Sequence, residues 1–310
     1  MKTNSIIKKA KNSLKMWGKV FSKSGQKFIE ENSFLYSAGI AFYTIFSLPG
    51  IALITVFIAS SFIYEDNHVK NELLNQISLM IGQSSADQIE ALLERDIFTN
   101  QSIWMKSLGF IVLLISTTTV FISLQNSLNS IWQIKPKPKK MVLTFLLNRL
   151  ISLVMVVSIG FILMVSLMMD TLIAVLRNII QNFIGDLSFY IVIFANYTFS
   201  VIITILVFAS IYKVLPDAKI KWKDVWVGAI ATTIFFLIGK FLIAVYLENS
   251  SLSDAYGAAG SLVVLLSWVY YSVLILIFGA QFTYTFINVK GRNIRPQKGA
   301  VKIEMVEIEK

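Results

Sequence analysis

One lysine stands inside an otherwise uncharged apolar stretch, and a membrane makes such a residue chemically expensive. Lys240 is the single charge within Val225–Leu247. A lysine at the centre of a membrane helix costs about 2.5–3.5 kcal/mol on insertion scales. Asp170 closes another apolar stretch at the same expected depth. A Lys240–Asp170 pair would make a gate or an ion-coupling site. The structural alternative is that Lys240 snorkels past Leu247 to the interface.

Four further features carry polar or conformational chemistry. Ser116, Thr119, Ser123, Asn126 and Ser130 are spaced three and four apart, so they share one helical face. Such a stripe holds helices together or lines a hydrated path, and Asn126 needs a partner if hydrocarbon surrounds it. Pro49-Gly50 is expected to kink its helix or free carbonyls for an ion or substrate. The run Tyr256-Gly257-Ala258-Ala259-Gly260-Ser261 allows close helix approach. Trp268, Tyr270 and Tyr271 lie mid-stretch, away from the interface where aromatic residues anchor. They are expected to fill the bundle or line a cavity.

Hydrolytic and redox chemistry find little support. The sequence has no cysteine and one histidine, His68. Glu90, Glu94 and Asp96 lie close together, but on what reads as a solvated helix. No phosphate-cradling glycine loop is present. No catalytic residue, metal or cofactor is expected, and the chain does not read as an enzyme.

The elements that must position these residues are set by hydropathy. Of 310 residues 55% are hydrophobic and 15% charged, against about 25% charged in soluble domains. The charges fall in blocks. Asn32–Tyr64, Ser107–Ile134, Leu150–Met169, Leu187–Tyr212 and Ala255–Val289 have none, and Val225–Leu247 has only Lys240. Each is long enough for a bilayer crossing, which needs about 20 apolar residues. In lipid the backbone must satisfy its own hydrogen bonds, so each is expected to be helical. The expected fold is an all-α polytopic membrane bundle of six transmembrane helices, at about 34–62, 107–131, 150–170, 188–212, 224–246 and 260–286.

The net charge of +10 could suggest nucleic acid, but its distribution argues for a membrane. Residues 1–31, the connector 135–149, the connector 213–224 and the tail 290–310 hold 23 of the 28 basic residues. The alternate connectors hold Lys70, Arg95, Lys106 and Arg177, and Glu65–Lys106 contains seven acids. By the positive-inside rule the basic side is cytoplasmic, with both termini inside. No removable signal peptide is expected at the N-terminus.

Residues 1–31 interleave Ile6, Ile7, Leu14, Trp17, Val20, Phe21 and Phe28 with lysines at helical spacing. This predicts a basic amphipathic helix lying on anionic inner-leaflet lipids. Glu65–Lys106 is too long for an unstructured connection, and its periodicity predicts two short amphipathic helices on the outer surface. Residues 290–310 read as a charged cytoplasmic tail.

Three blocks carry a resemblance. The first is Ser37-Ala38-Gly39-Ile40-Ala41-Phe42-Tyr43-Thr44-Ile45-Phe46-Ser47-Leu48-Pro49. The second is Leu215-Pro216-Asp217, then Trp222-Lys223-Asp224-Val225, Gly228-Ala229, Gly239-Lys240-Phe241 and Tyr246. The third is Tyr256 to Ser261, then Leu266-Ser267-Trp268-Val269-Tyr270 and Gly279-Ala280-Gln281. In order and spacing they resemble the YihY/BrkB family of bacterial inner-membrane proteins over about Glu31 to Asn288. The resemblance implies six spans with cytoplasmic ends. The family has carried the labels virulence or serum-resistance factor and ribonuclease BN, and some relatives have been proposed to act in lipid or envelope transport. Members often carry Glu after the Gly-Ala of the last span. Gln281 stands there in this chain and cannot ionise.

The expected function is transport or lipid and envelope handling at the bacterial cytoplasmic membrane. Its cavity or gate would draw on Pro49, Thr119, Ser123, Asn126, Asp170, Lys240, Tyr256, Trp268 and Gln281. Membrane lipids are the expected partners, and nucleic acid is not. The alternative is a non-catalytic scaffold that organises envelope partners, with a membrane-tethered nuclease a distant third. A lipid-sized cavity would favour transport and a dry interior the scaffold.

Overall fold

The computed structural model describes residues 2–62, 118–137, 187–248 and 260–303, with six further helical positions between 147 and 158. Asp170, Tyr256, Ser116, the Lys240–Asp170 pairing and the helices expected in Glu65–Lys106 lie outside the described residues. So do the side chain of Pro49 and most of the third expected span.

Five long helices are described. They are α1 (Lys2–Glu30), α2 (Ser33–Phe62), α4 (Leu187–Val214), α5 (Trp222–Glu248) and α6 (Gly260–Val289). Helix α3 is described over 118–131. Among the described residues, Tyr197–Val214, Trp222–Ile243 and Leu262–Val289 are long and apolar enough to cross a membrane. At 27 residues, α5 extends about 40 Å at 1.5 Å per residue, more than a hydrocarbon core.

Serine and threonine sit inside these helices without needing a neighbour. Their hydroxyls donate to the carbonyl one turn back: Ser37 to Ser33, Thr44 to Ile40, Ser127 to Ser123, Thr232 to Gly228 and Thr283 to Gly279, at 2.7–2.9 Å. This back-bonding answers the hydroxyl within its own helix. A run of such residues is therefore compatible with helix packing and does not require a water-lined path.

Helices α5 and α6 pack closest. A Cβ at Gly228 would run into the Thr283 side chain, and one at Gly279 into Thr232 and the Tyr212 hydroxyl. The two glycines thus let α5 and α6 meet backbone to side chain. Tyr212 of α4, fully buried, donates to the Leu276 carbonyl at 2.7 Å and lies 3.0 Å from Thr232 Oγ1. Trp132, equally buried, donates from its indole to the Ala280 carbonyl at 3.2 Å. Large aromatic residues with one satisfied polar atom thereby fill the bundle beside α6.

Four short strands depart from the all-α expectation. They are β1 (Ile134–Pro136), β2 (Ala218–Lys219), β3 (Arg295–Pro296) and β4 (Ala300–Lys302). Strand β1 pairs antiparallel with β4, and β2 with β3. Residues 290–303 are consequently a clasp rather than a loose tail. The clasp starts at Gly291, whose φ of +68° lets the Arg292 amide reach back to the Ile287 carbonyl at 3.0 Å. Such a left-handed glycine ends a helix at no Cβ cost. The clasp joins the connector after α3 to the connector between α4 and α5. The C-terminal ends of α3, α4 and α6 and the N-terminal end of α5 therefore share one face of the bundle. Tyr36, near the start of α2, joins them through a 3.0 Å contact between its hydroxyl and Ser130.

Helix α1 forms as its periodicity predicts, and much of its apolar stripe is spent on protein. Trp17 stacks on Phe282 and Phe286, Phe21 meets Phe235 and Phe278, and Phe28 meets Phe278. Val20 is fully buried, while Leu14 and Ile29 stay exposed. Lys11, Lys15, Lys19 and Lys23 form an exposed row one turn apart. Asn32, with φ 54°, turns the chain from α1 into α2; Asn is among the few non-glycine residues that adopt this conformation readily.

Candidate functional site

Of the residues expected to line a cavity, the structure describes the side chains of Thr119, Ser123, Asn126, Lys240, Trp268 and Gln281. Asn126 is exposed, and Lys240 is exposed on α5. Asn126 therefore stands on the outer face of α3 and not among the buried residues of the bundle. Lys240 likewise stands on the outer surface of the described helices. Thr119 and Ser123 are half-buried on α3, and the Ser123 carbonyl already accepts from Ser127. Ser130, the last of the stripe, meets Tyr36. Trp268 is half-buried and lies edge-on to Phe236, with ring centroids 6.3 Å apart, so it packs α6 against α5.

Polar burial on α3 falls one position away from the expected stripe. Gln125 and Asn129 are buried, and both reach Asp217. Asn129 Nδ2 donates to Asp217 Oδ2 at 2.8 Å, and the Asp217 amide donates to Asn129 Oδ1 at 2.9 Å. Gln125 Nε2 adds a longer bond of 3.3 Å to the same carboxylate oxygen. The amide side chain thus matches a donor and an acceptor of one residue at once. A second acid, the buried Asp224 in the first turn of α5, takes both Arg292 nitrogens at 2.9 and 2.6 Å. The paired guanidinium–carboxylate geometry is the strong form of this contact. These two acids tie the face together: Asp217 binds the α4–α5 connector to α3, and Asp224 binds α5 to the clasp.

Gln281 differs from every other candidate. It is fully buried, and neither its amide nitrogen nor its amide oxygen completes a hydrogen bond. One turn on, Thr285 is also buried with an unpartnered hydroxyl. The Gln281 amide lies close enough to Glu31, in the corner between α1 and α2, to favour the charged carboxylate. Glu31 pairs with Lys27 at 3.5 Å through Oε1, while its Oε2 is buried and unpartnered. Ser33, at the start of α2, is fully buried with an unpartnered Oγ. Burial pushes the Glu31 carboxyl above its ordinary value of 4.5. The Lys27 charge and the Gln281 contact pull it back only in part. The Lys27 ammonium also sits 5.0 Å from the Tyr284 ring, and Tyr284 donates to Gln133 Oε1 at 2.7 Å.

Buried polar groups in proteins are nearly always hydrogen-bonded, and exceptions concentrate where something binds or reacts. The corner of α1, α2 and α6 is such an exception. Of its members the sequence singled out Gln281 alone. Glu31 closes the basic amphipathic segment beside Glu30, and an acid there gives no sign of burial. Thr285 and Ser33 resemble the many hydroxyls that satisfy themselves. The usable signal was that Glu31 is the last charge before 33 uncharged residues. Gln125 and Asn129, four apart, were hidden by the more regular serine and threonine spacing beside them.

The chain is similar to several bacterial membrane proteins. A UPF0761 membrane protein of Haemophilus influenzae (strain 86-028NP) is 26% identical over 277 residues, covering 88% of this chain and 96% of the relative. A UPF0761 membrane protein of Glaesserella parasuis serovar 5 is 24% identical over 200 residues, covering 64% and 67%. The ribonuclease-like protein YfkH of Bacillus subtilis is 22% identical over 214 residues, covering 68% and 76%. No solved structure matches. The family model described as virulence factor BrkB matches residues 24–304, which takes in the last turns of α1, every other described helix and the clasp. This chain is an integral membrane protein and belongs to the virulence factor BrkB family.

Proposed function

We propose that the protein moves or handles a lipid or envelope component at the bacterial cytoplasmic membrane, as a six-span bundle with both termini inside, and that it is not an enzyme. The observation that carries this reading is Gln281: a fully buried amide with both polar atoms unpartnered, on a helix at the heart of the bundle. Polar side chains held within a membrane bundle are costly and mark paths for substrates or ions. The bundle face that bears the clasp is tied together by strand pairs and by the Asp217 and Asp224 bonds, which favours entry of cargo from the bilayer or from the other face. The exposed lysine row of α1 suits the phosphates of an anionic inner leaflet.

The ribonuclease-like name of one relative does not transfer easily. A hydrolytic nuclease needs acids free to hold metal. On this face Asp217 is engaged by Asn129 and Gln125, and Asp224 by Arg292.

Native mass spectrometry of the protein released from native membranes tests the proposal. A phospholipid-sized adduct is expected on the natural protein and is expected to be lost in a folded Gln281→Leu variant. An adduct-free protein carrying a stoichiometric protein partner would overturn transport in favour of the scaffold.

A further inference from the structure

The corner between α1 and α2 holds a part-buried carboxyl group, that of Glu31, one of whose oxygens, Oε2, is kept from water. Its neighbours from each packed element can be named. Helix α1 contributes Lys27, paired with Glu31, and Glu30, whose carboxylate takes the Gln26 amide at 2.9 Å. The first turn of α2 contributes no charge; its polar side chains are Ser33 and Tyr36, and the Tyr36 hydroxyl is engaged with Ser130. Helix α6 contributes Gln281 and Thr285, with Tyr284 over the Lys27 ammonium. Four side chains, Glu31 in the corner, Ser33 on α2, and Gln281 and Thr285 on α6, thus present five buried polar atoms without partners. Glu31 alone among those four can ionise.

We infer that this corner is a proton-binding site: Glu31 takes up and releases a proton beside the Gln281 amide, within the junction that docks α1 on the bundle. The inference goes beyond the transport reading and stands whatever the protein moves. Protonation forms an O–H bond at a carboxylate oxygen, and the proton comes from water. Oε2 is the oxygen without a partner, and protonation removes the charge that its burial penalises. Ionisation returns the proton to water and leaves a part-buried anion whose burial Lys27 and the Gln281 amide offset only in part. The neutral form therefore fits the corner better, in keeping with the upward displacement of the Glu31 carboxyl by burial.

The sign of the pH effect follows. A carboxyl raised in the folded protein stabilises the folded corner below its ordinary value of 4.5. That contribution fades as pH rises through the displaced value, where the folded corner must give up its proton. Docking of α1 is accordingly tighter on the acid side of this window and looser above it.

Infrared difference spectroscopy across a pH titration tests the inference on the full-length protein in phospholipid nanodiscs. One protonated-carboxyl band should titrate above the ordinary glutamate range. It should vanish in Glu31→Gln and persist in Glu30→Gln. Because Gln281 and Lys27 both favour the anion, Gln281→Leu and Lys27→Met should each move the band's midpoint upward. These two variants also keep the test alive if Glu31→Gln does not fold. A difference spectrum unchanged by Glu31→Gln, or a Glu31 band with an ordinary midpoint that neither neighbour variant moves, would overturn the assignment.

Discussion

Asn126 and Asn129 lie three residues apart on α3, and only Asn129 is buried. What separates them is the availability of a partner. Asn129 meets the amide and carboxylate of Asp217 together, while Asn126 faces outward. Asn129→Leu should therefore leave the Asp217 amide unanswered and its carboxylate held by Gln125 alone, at a cost of about 1–3 kcal/mol. Asn126→Leu should change stability by no more than about 0.5 kcal/mol. Thermal unfolding of the two variants in the same detergent checks the contrast, and equal losses would reinstate the stripe that spacing alone suggests. The sequence made both residues visible but not their ranking. Periodicity fixes which residues share a face; it does not fix which face finds a carboxylate supplied from 88 positions away.

At the scale of elements, the long helices were legible because charge-free length leaves the backbone no other way to satisfy itself in lipid. The described helices α2, α4, α5 and α6 start and stop within a few residues of the charge blocks that bound them. The clasp was not legible. Strands of two or three residues carry no periodicity, and Lys, Arg and Pro in them read as an ordinary basic tail. Their pairing is decided by four helix ends meeting on one face, which is tertiary information. Helix α1 lies between these cases. Its amphipathic pattern predicted a helix on lipid, but aromatic residues on α5 and α6 compete for the same apolar stripe. Trp17→Ala removes two stacked ring contacts, worth about 0.5–1.5 kcal/mol each beyond the area they bury. Amide hydrogen exchange should then quicken across residues 11–30 and stay unchanged in α5 and α6. Equal exchange in α1 with and without Trp17 would show that lipid, not protein, holds the helix.

For the whole molecule, the central claim is that one face gathers the basic connectors and the clasp while the helices run from it across the membrane. That face carries Lys135, Lys137, Lys219, Lys298 and Lys302 on its strands and turns, and α5 carries the chain from it to Glu248 at the far end. The absence of native cysteine makes single-cysteine labelling clean. Lys137→Cys, Lys219→Cys, Lys298→Cys and Glu248→Cys, each placed alone in the full chain, should be exposed to a membrane-impermeant maleimide in intact cells and again after permeabilisation. The three lysine positions should label only after permeabilisation and the Glu248 position before it. Labelling of any of the three in intact cells, or of all four alike, would contradict the account.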